Sequence, residues 1–406
     1  SGSNGIIKWN SFDVGGSATV NFRGDAGGYN VLNYVNGANA SQIYGTINAN
    51  NNGNIFIVNP AGVQIGNSAQ INVGSLYVSN NEMNDADFNH FMNNADPNNI
   101  INYALQGKST EAALMSLGNI NANHVTFEGD GRIVIDTERI KKNDIVTDNF
   151  IVKTDDVNDV LLGYDAYNTG AIKNTYAGKD KTFNDNVLVN GQKPTEDVKG
   201  YMWVEDVNQL QAIDTNLDGN YALRNSIDAT GTEQKHFTSI GSVNDAFKGK
   251  FDGIDYNIFG LNIKETGNNV GLFGYTDGAT INNVTLVGGS ITGGNNVGAI
   301  VGSANNTTLT NVVNSAAVSG NSYVGGIVGS ADGTTVENAI NTGTIEGNSK
   351  SETNVGGLIG EMKDSNLTDN YSSELIGNSY NLGDVSGNGH NVGGLVGSAS
   401  NSTIGD

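Results

Sequence analysis

A short string occurs five times in the second half of the chain. Asn269-Val270-Gly271-Leu272-Phe273-Gly274 recurs around Val297-Gly298, Val324-Gly325, Val355-Gly356 and Val392-Gly393, each time closing on a further Gly (Gly302, Gly329, Gly360, Gly397). The Val advances by 27, 27, 31 and 37 residues. A unit of that length cannot bury its own apolar residues, so repeats of this kind stack on one another and share a continuous core. Between the anchors lie Thr280-Ile281, Thr308-Leu309, Thr335-Val336 and Asn366-Leu367, each read as a second strand of the coil. The unequal steps are read as loops inserted at one corner. The fold expected is all-β, a right-handed parallel β-helix, with backbone hydrogen bonds running from coil to coil at ~4.8 Å. Its hand follows the rule for parallel crossovers.

Composition agrees. Gly is abundant (56 of 406 residues), Pro is rare (3) and Cys is absent, and charged residues make up 15%. Paired Gly allow tight corners, and Asn at equivalent corners is expected to stack as an amide ladder. The formal net charge of −22 argues against nucleic acid as a partner, because that surface needs a basic footprint. No apolar run approaches the roughly 18 residues of a membrane span.

The first half carries the same logic in shorter coils. In Asn54–Val73 a strand (Ile55–Val58) meets a turn (Asn59, Pro60, Ala61, Gly62). A second strand (Val63–Ile65) follows, then the Gly66-Asn67 turn and a third strand (Ala69–Val73). Pro60 fixes φ, Asn59 can bond its own backbone, and Gly62 supplies conformational freedom.

Asn59-Pro60-Ala61-Gly62-Val63 resembles the Asn-Pro-x-Gly-Ile/Val motif of the two-partner-secretion domain, the N-terminal domain of filamentous-haemagglutinin-like exoproteins. Ile7-Lys8-Trp9-Asn10-Ser11-Phe12-Asp13-Val14-Gly15 is similar to the family's opening. Val20–Phe22, Val31–Val35 and Ser41–Ile47 follow in the family's order, and the similarity is dense from Ile6 to Ser79. The resemblance implies a right-handed β-helix, secretion through the periplasm to the bacterial surface, and recognition by a cognate outer-membrane transporter. Asn59, Pro60, Gly62 and Val63, with Trp9 and Asn10, are the residues it assigns to recognition or early nucleation; a purely structural corner is the alternative. The absence of Cys suits a chain that crosses the periplasm unfolded. Family domains start earlier and the letters stop in mid-repeat at Ile404-Gly405-Asp406, so a longer protein is expected.

A short helix is expected from Asn84, its N-cap, through Met92, and a second over Ser109–Leu117 ended by Gly118. Together they read as a helical excursion near 84–117. Strands resume over Asn119–Thr137. A boundary is placed near Asn190–Gly200. Tyr201–Ile213 has helical spacing, with Val204, Val207, Leu210 and Ile213 on one stripe. The stretch from Tyr201 through Phe247–Gly253 resembles the lead-in to GLUG repeats of bacterial surface proteins. Three regions result: 1–200 the secretion domain, 201–266 the lead-in, and 267–406 GLUG-type repeats.

Several motifs invite chemistry. Arg23-Gly24-Asp25 spells an integrin tripeptide and reads equally as a turn. Asp214, Asn216 and Asp218 match the first half of an EF-hand loop, but its twelfth position is Asn225 instead of Glu. No other metal site and no cofactor is expected, since the four His lack ligand spacing. Sequons fall at Asn39, Asn283, Asn305, Asn306, Asn366, Asn370 and Asn401, and sugar modification is considered at Asn39, Asn283, Asn306, Asn366 and Asn370. The acidic pairs Asp85/Asp87 and Asp155/Asp156 raise a carbohydrate-active enzyme on the same scaffold, which needs clustered carboxylates on one face. The reading adopted is a non-enzymatic, monomeric surface adhesin that contacts host or bacterial glycans or proteins through its repeats. The stalk of a contact-dependent toxin is a further alternative.

Overall fold

The computed structural model describes residues 3–25, 27–94, 113–142, 150–165, 187–192, 200–234, 236–350, 353–368 and 379–405. The chain divides into two units, Ser1–Asp165 with Lys181–Tyr201, and Ala166–Asp180 with Met202–Asp406. Within each, the named strand pairs of the coils are parallel, so the fold is a parallel β-helix.

In the N-terminal unit one coil visits three sheets in turn. Thr46–Ala49 lies in one, Asn54–Val58 in the next and Val63–Ile65 in the third; Gln70–Asn72 then starts the next coil. Stacking is in register: Asn30 opposes Asn54 and Asn54 opposes Ser75, while Ser41 opposes Val63 and Thr46 opposes Gln70. The interior is filled by Ile55, Ile57, Ile65, Ile71, Leu76, Val78 and their equivalents. Alternation turns the intervening residues of the same strands outward, and here they are also large: Leu32, Tyr34, Phe56, Val58 and Tyr77. A surface of that kind needs a cover.

Helix α1 (Asp85–Asn94) supplies it. The Asn84 side chain accepts from the Ala86 and Asp87 amides at 2.8 and 3.1 Å, and Asp87 returns a bond from the Asn84 amide at 2.8 Å. This is the expected N-cap, with a reciprocal partner at the third helical position. Phe91 meets Phe56 edge-on at 5.1 Å and Phe88 meets Tyr34 edge-on at 5.0 Å. At the other end of the helix the Asn4 side chain donates to the Met92 carbonyl at 2.9 Å.

The excursion is therefore helical at Asp85–Asn94 but not at its far end. Leu114–Ser116, expected within a second helix, is a strand wedged between Val63–Ile65 and Ile133–Asp136. Ladder bonds on both sides and the full burial of Leu114 outweigh a helix propensity worth a few tenths of a kcal/mol per residue. Residues 109–112 of that expected helix lie outside the described residues. The helix expected over Tyr201–Ile213 is likewise shorter. Gly200–Val204 is a strand, and α2 is Val207–Ala212, capped by Asp206 accepting from the Gln209 amide at 2.8 Å.

In the C-terminal unit the five anchors stack as one column: Val270 opposes Val297, then Val324, Val355 and Val392 in turn. The strands Thr280–Asn282, Thr308–Asn314, Thr335–Asn341 and Asn366–Thr368 stack beside them in register. The added length does not sit at a single corner, as had been expected. The 31-residue step gains it between Gly347 and Asn354, and the 37-residue step between Thr368 and Tyr380.

Candidate functional site: the Asn59–Val63 corner

The corner is built from the inside. Asn59 is fully buried. Its side-chain oxygen accepts from the Ala61 amide at 2.9 Å, closing the turn that an Asn before Pro favours. Its side-chain nitrogen donates to the Asn39 carbonyl and the Ser41 hydroxyl, both at 3.0 Å. Those two residues belong to the preceding coil. The Asn59 amide donates to the Ser79 carbonyl on the following coil at 2.9 Å. One residue thus ties three successive coils.

Gly62 has φ of +108°, and a Cβ there would lie 2.9 Å from the Ala113 carbonyl oxygen, so the position requires glycine. Its own amide bonds back to the Asn59 carbonyl at 2.8 Å. Val63 is buried and enters the sheet between Ser41 and Leu114. Pro60 and Ala61 are half-buried and form the outer skin of the corner.

Trp9 and Asn10 are brought near but not into this corner. Trp9 opposes Val35 and Tyr34 opposes Val58. Trp9, Val35 and Asn59 therefore stand level on three coils, with Trp9 and Asn59 about 10 Å apart by two strand spacings. The Trp9 indole donates to the Asn33 side-chain oxygen at 3.1 Å, and its ring lies 5.3 Å from that of Phe12. Asn10 is exposed, and its carbonyl abuts Gly37, where a Cβ would come within 2.1 Å. Sequence reasoning missed Ser41 and Asn33, which hold Asn59 and Trp9. Asn33 did carry a signal: it is a polar residue in the middle of the apolar run Val31–Val35.

The other candidates resolve into local structure. Arg23 and Asp25 are exposed, while Gly24 between them is clamped: its amide donates to Asn50 at 2.9 Å and its carbonyl accepts from Asn51 at 2.7 Å. Asp214 accepts from the Gly241 amide at 2.9 Å, and the Asn216 carbonyl accepts from the Tyr221 hydroxyl at 2.6 Å. Asp218 is exposed. Among the described residues no three His, Cys, Asp or Glu gather in a metal-binding group. Of the sequon residues, Asn39, Asn306 and Asn366 are exposed, and Asn283 is engaged with Asp252 and Asn311 at 3.1 Å each. Asn370 lies outside the described residues.

Residues 1–196 match the family model described as the TPS secretion domain. The heme/hemopexin-binding protein of Haemophilus influenzae is 29% identical over 174 residues, 43% of this chain. The N-terminal part of this chain is a two-partner-secretion domain. The protein is secreted to the cell surface or the extracellular space. Residues 159–319 match the model described as the M26 IgA1-specific metallo-endopeptidase N-terminal region. Halomucin of Haloquadratum walsbyi is 34% identical over 152 residues, 34% of this chain. The chain spans 15% of the length of the Haemophilus protein and 2% of halomucin. Among solved structures, the HMW1 secretion domain from Haemophilus influenzae aligns at 14% identity over 100% of this chain and 96% of its own, with a TM-score of 0.26. A protein described as an immunoglobulin A1 protease from Bacteroides ovatus aligns at 19% identity over 50% of this chain and 63% of its own, with a TM-score of 0.42.

Proposed function

We propose that the two-partner-secretion domain acts as both export address and folding template. In this reading its Asn59–Val63 corner, with Trp9 and Asn10 nearby, is what the transporter reads or what the first coils nucleate on. The observation that carries it is the placement of the Asn59 hydrogen bonds. They run to the preceding and the following coil, so the corner is complete only once three coils have stacked. Folding outside the cell would then favour outward transit, each coil adding to a formed edge. The surface left for a transporter to touch is Pro60, Ala61 and Asn10.

The C-terminal coils, read as GLUG-type repeats, form the stalk or adhesive surface of an adhesin. We assign the chain no catalytic step. The acidic pairs support that view, because Asp87 closes the α1 cap and Asp156 accepts from Asn158 at 2.9 Å.

The test is secretion of the chain with its transporter. The double replacement Asn59→Ala with Pro60→Ala is expected to abolish release into the medium. Asn59→Ala leaves buried partners unmet and should also cost about 1–3 kcal/mol of stability. Pro60→Ala and Asn10→Ala alone separate the two roles: lost secretion with unchanged unfolding assigns recognition, and full secretion of all variants removes the corner from transport.

A further inference from the structure

A groove of about 540 Å³ opens on the N-terminal unit. It crosses the C-terminal ends of four neighbouring strands of one sheet: Ser75–Ser79, His124–Gly129, Phe150–Thr154 and Val187–Val189. Their ends lie within two residues of one another, with Ser79 opposite Glu128, Gly129 opposite Thr154 and Val152 opposite Val189. The groove therefore runs along the stacking direction for three strand spacings, about 14 Å.

Its lining separates into groups that are already engaged and groups that are not. Glu128 accepts from the Tyr77 hydroxyl at 3.1 Å and pairs with the Lys153 ammonium at 3.3 Å through the same oxygen. Burial, then the neighbouring Glu128 charge, pushes the Tyr77 hydroxyl well above its ordinary pKa, so it stays a neutral donor. Asn190 is also used: it accepts from the Thr154 amide at 3.0 Å and donates to the Thr154 carbonyl at 2.9 Å. Asn81 differs. It is 4% exposed and lines the groove, yet its side-chain amide makes no hydrogen bond among the described residues. The Asn81 amide still reaches the solvent of the groove, and a ligand offering both a donor and an acceptor can take the place of water there. Asp155 adds an exposed carboxylate at the same rim.

We propose that this groove binds a short, neutral, polyhydroxylated chain, a linear glycan of about three residues. Hydroxyl groups both donate and accept, which suits the Asn81 amide and the Asp155 carboxylate together. The coil spacing of ~4.8 Å offers roughly one polar position per sugar unit along the groove. A polyanion is disfavoured by Asp130, Asp155 and a chain charge of −22. A metal ion finds no converging group of three ligands among the described residues. Glu128 is held by Lys153 and Tyr77. This proposal does not rest on the export reading.

The test is calorimetric titration of the full chain with cellotetraose, chitotetraose and maltotetraose, with pentalysine and calcium chloride as separate arms. At least one neutral tetrasaccharide should bind with a Kd below about 1 mM. Asp155→Ala, on an exposed carboxylate, should weaken that binding tenfold or more with an unchanged thermal unfolding curve. Asn81→Ala should do the same, and Asp155→Ala alone carries the test if Asn81→Ala does not fold. The proposal is overturned if no neutral probe binds, if binding survives Asp155→Ala, or if only pentalysine or calcium binds. Secretion is read separately, so failure here leaves the export reading standing.

Discussion

Single residues in this fold act mainly through contacts between coils. The amide ladder expected from the sequence is present several times over. Asn54 donates to Asn30 and Asn30 to Asn4 at 2.9 and 2.7 Å, and Asn338 donates to Asn311 and Asn311 to Asn283 at 3.0 and 3.1 Å. Glycines of the repeated string act by having no side chain. A Cβ on Gly298 would lie 2.3 Å from the Val301 carbonyl oxygen and 2.6 Å from the Gly329 nitrogen of the next coil. Gly278 has open space around it and φ of +72°. Gly298→Ala should therefore cost about 3 kcal/mol, because backbone must move. Gly278→Ala should cost about 1 kcal/mol, the left-handed penalty alone. Denaturant midpoints compare them, and equal costs would refute the close-packing account. Glu361 gives a pH signature. Its pKa lies above the ordinary 4.5, first because of burial and then because of the Asp332 charge. A carboxyl whose folded pKa is raised destabilises the fold once ionised, so stability falls as pH rises through that value. Glu361→Gln should raise the unfolding midpoint at about pH 7 and leave it unchanged below the ordinary Glu range. An unchanged midpoint at neutral pH counts against it.

At the level of elements, α1 is the piece whose role depends most on its surroundings. Its cap was legible: Asn84 followed by Asp85 and Asp87 is a helix start by local chemistry. What it covers was not, because the outward residues of four strands, far apart in sequence, make the patch. Phe91 is fully buried against Phe56. Phe91→Ala should destabilise the N-terminal unit by about 3–5 kcal/mol and raise binding of an apolar dye. A variant with wild-type stability would mean that α1 merely rests on the sheet. Leu114–Ser116 teaches the converse lesson. Glu111-Ala112-Ala113-Leu114-Met115-Ser116-Leu117 is good helix sequence, but an open position between two formed strands is worth more than its propensity.

For the chain as a whole, the repeat step makes the C-terminal unit modular. Val297 follows Val270 by 27 residues and Val324 follows Val297 by 27, in one register. Removal of residues 297–323 joins Asn296 to Val324 and lets Val270 pair with Val324 directly. That deletion should fold cooperatively, with a smaller denaturant m value because less surface is exposed on unfolding. Removal of 297–316 instead places Ala317 where Val297 stood, turns the apolar column out of register, and should abolish cooperative unfolding. Identical behaviour of the two deletions would contradict nearest-neighbour stacking.

The letters alone determined that coils stack in parallel, where they turn, and which half carries the secretion domain. These follow from short-range chemistry: Gly where backbones touch, Asn and Pro at corners, apolar residues at fixed steps. The contacts of Asn59 with Ser41 and Ser79, the second buried face under α1, the strand at Leu114–Ser116 and the groove at Asn81 were decided only by the folded coil stack. Each joins residues on different coils, and no local pattern records which coils will lie side by side.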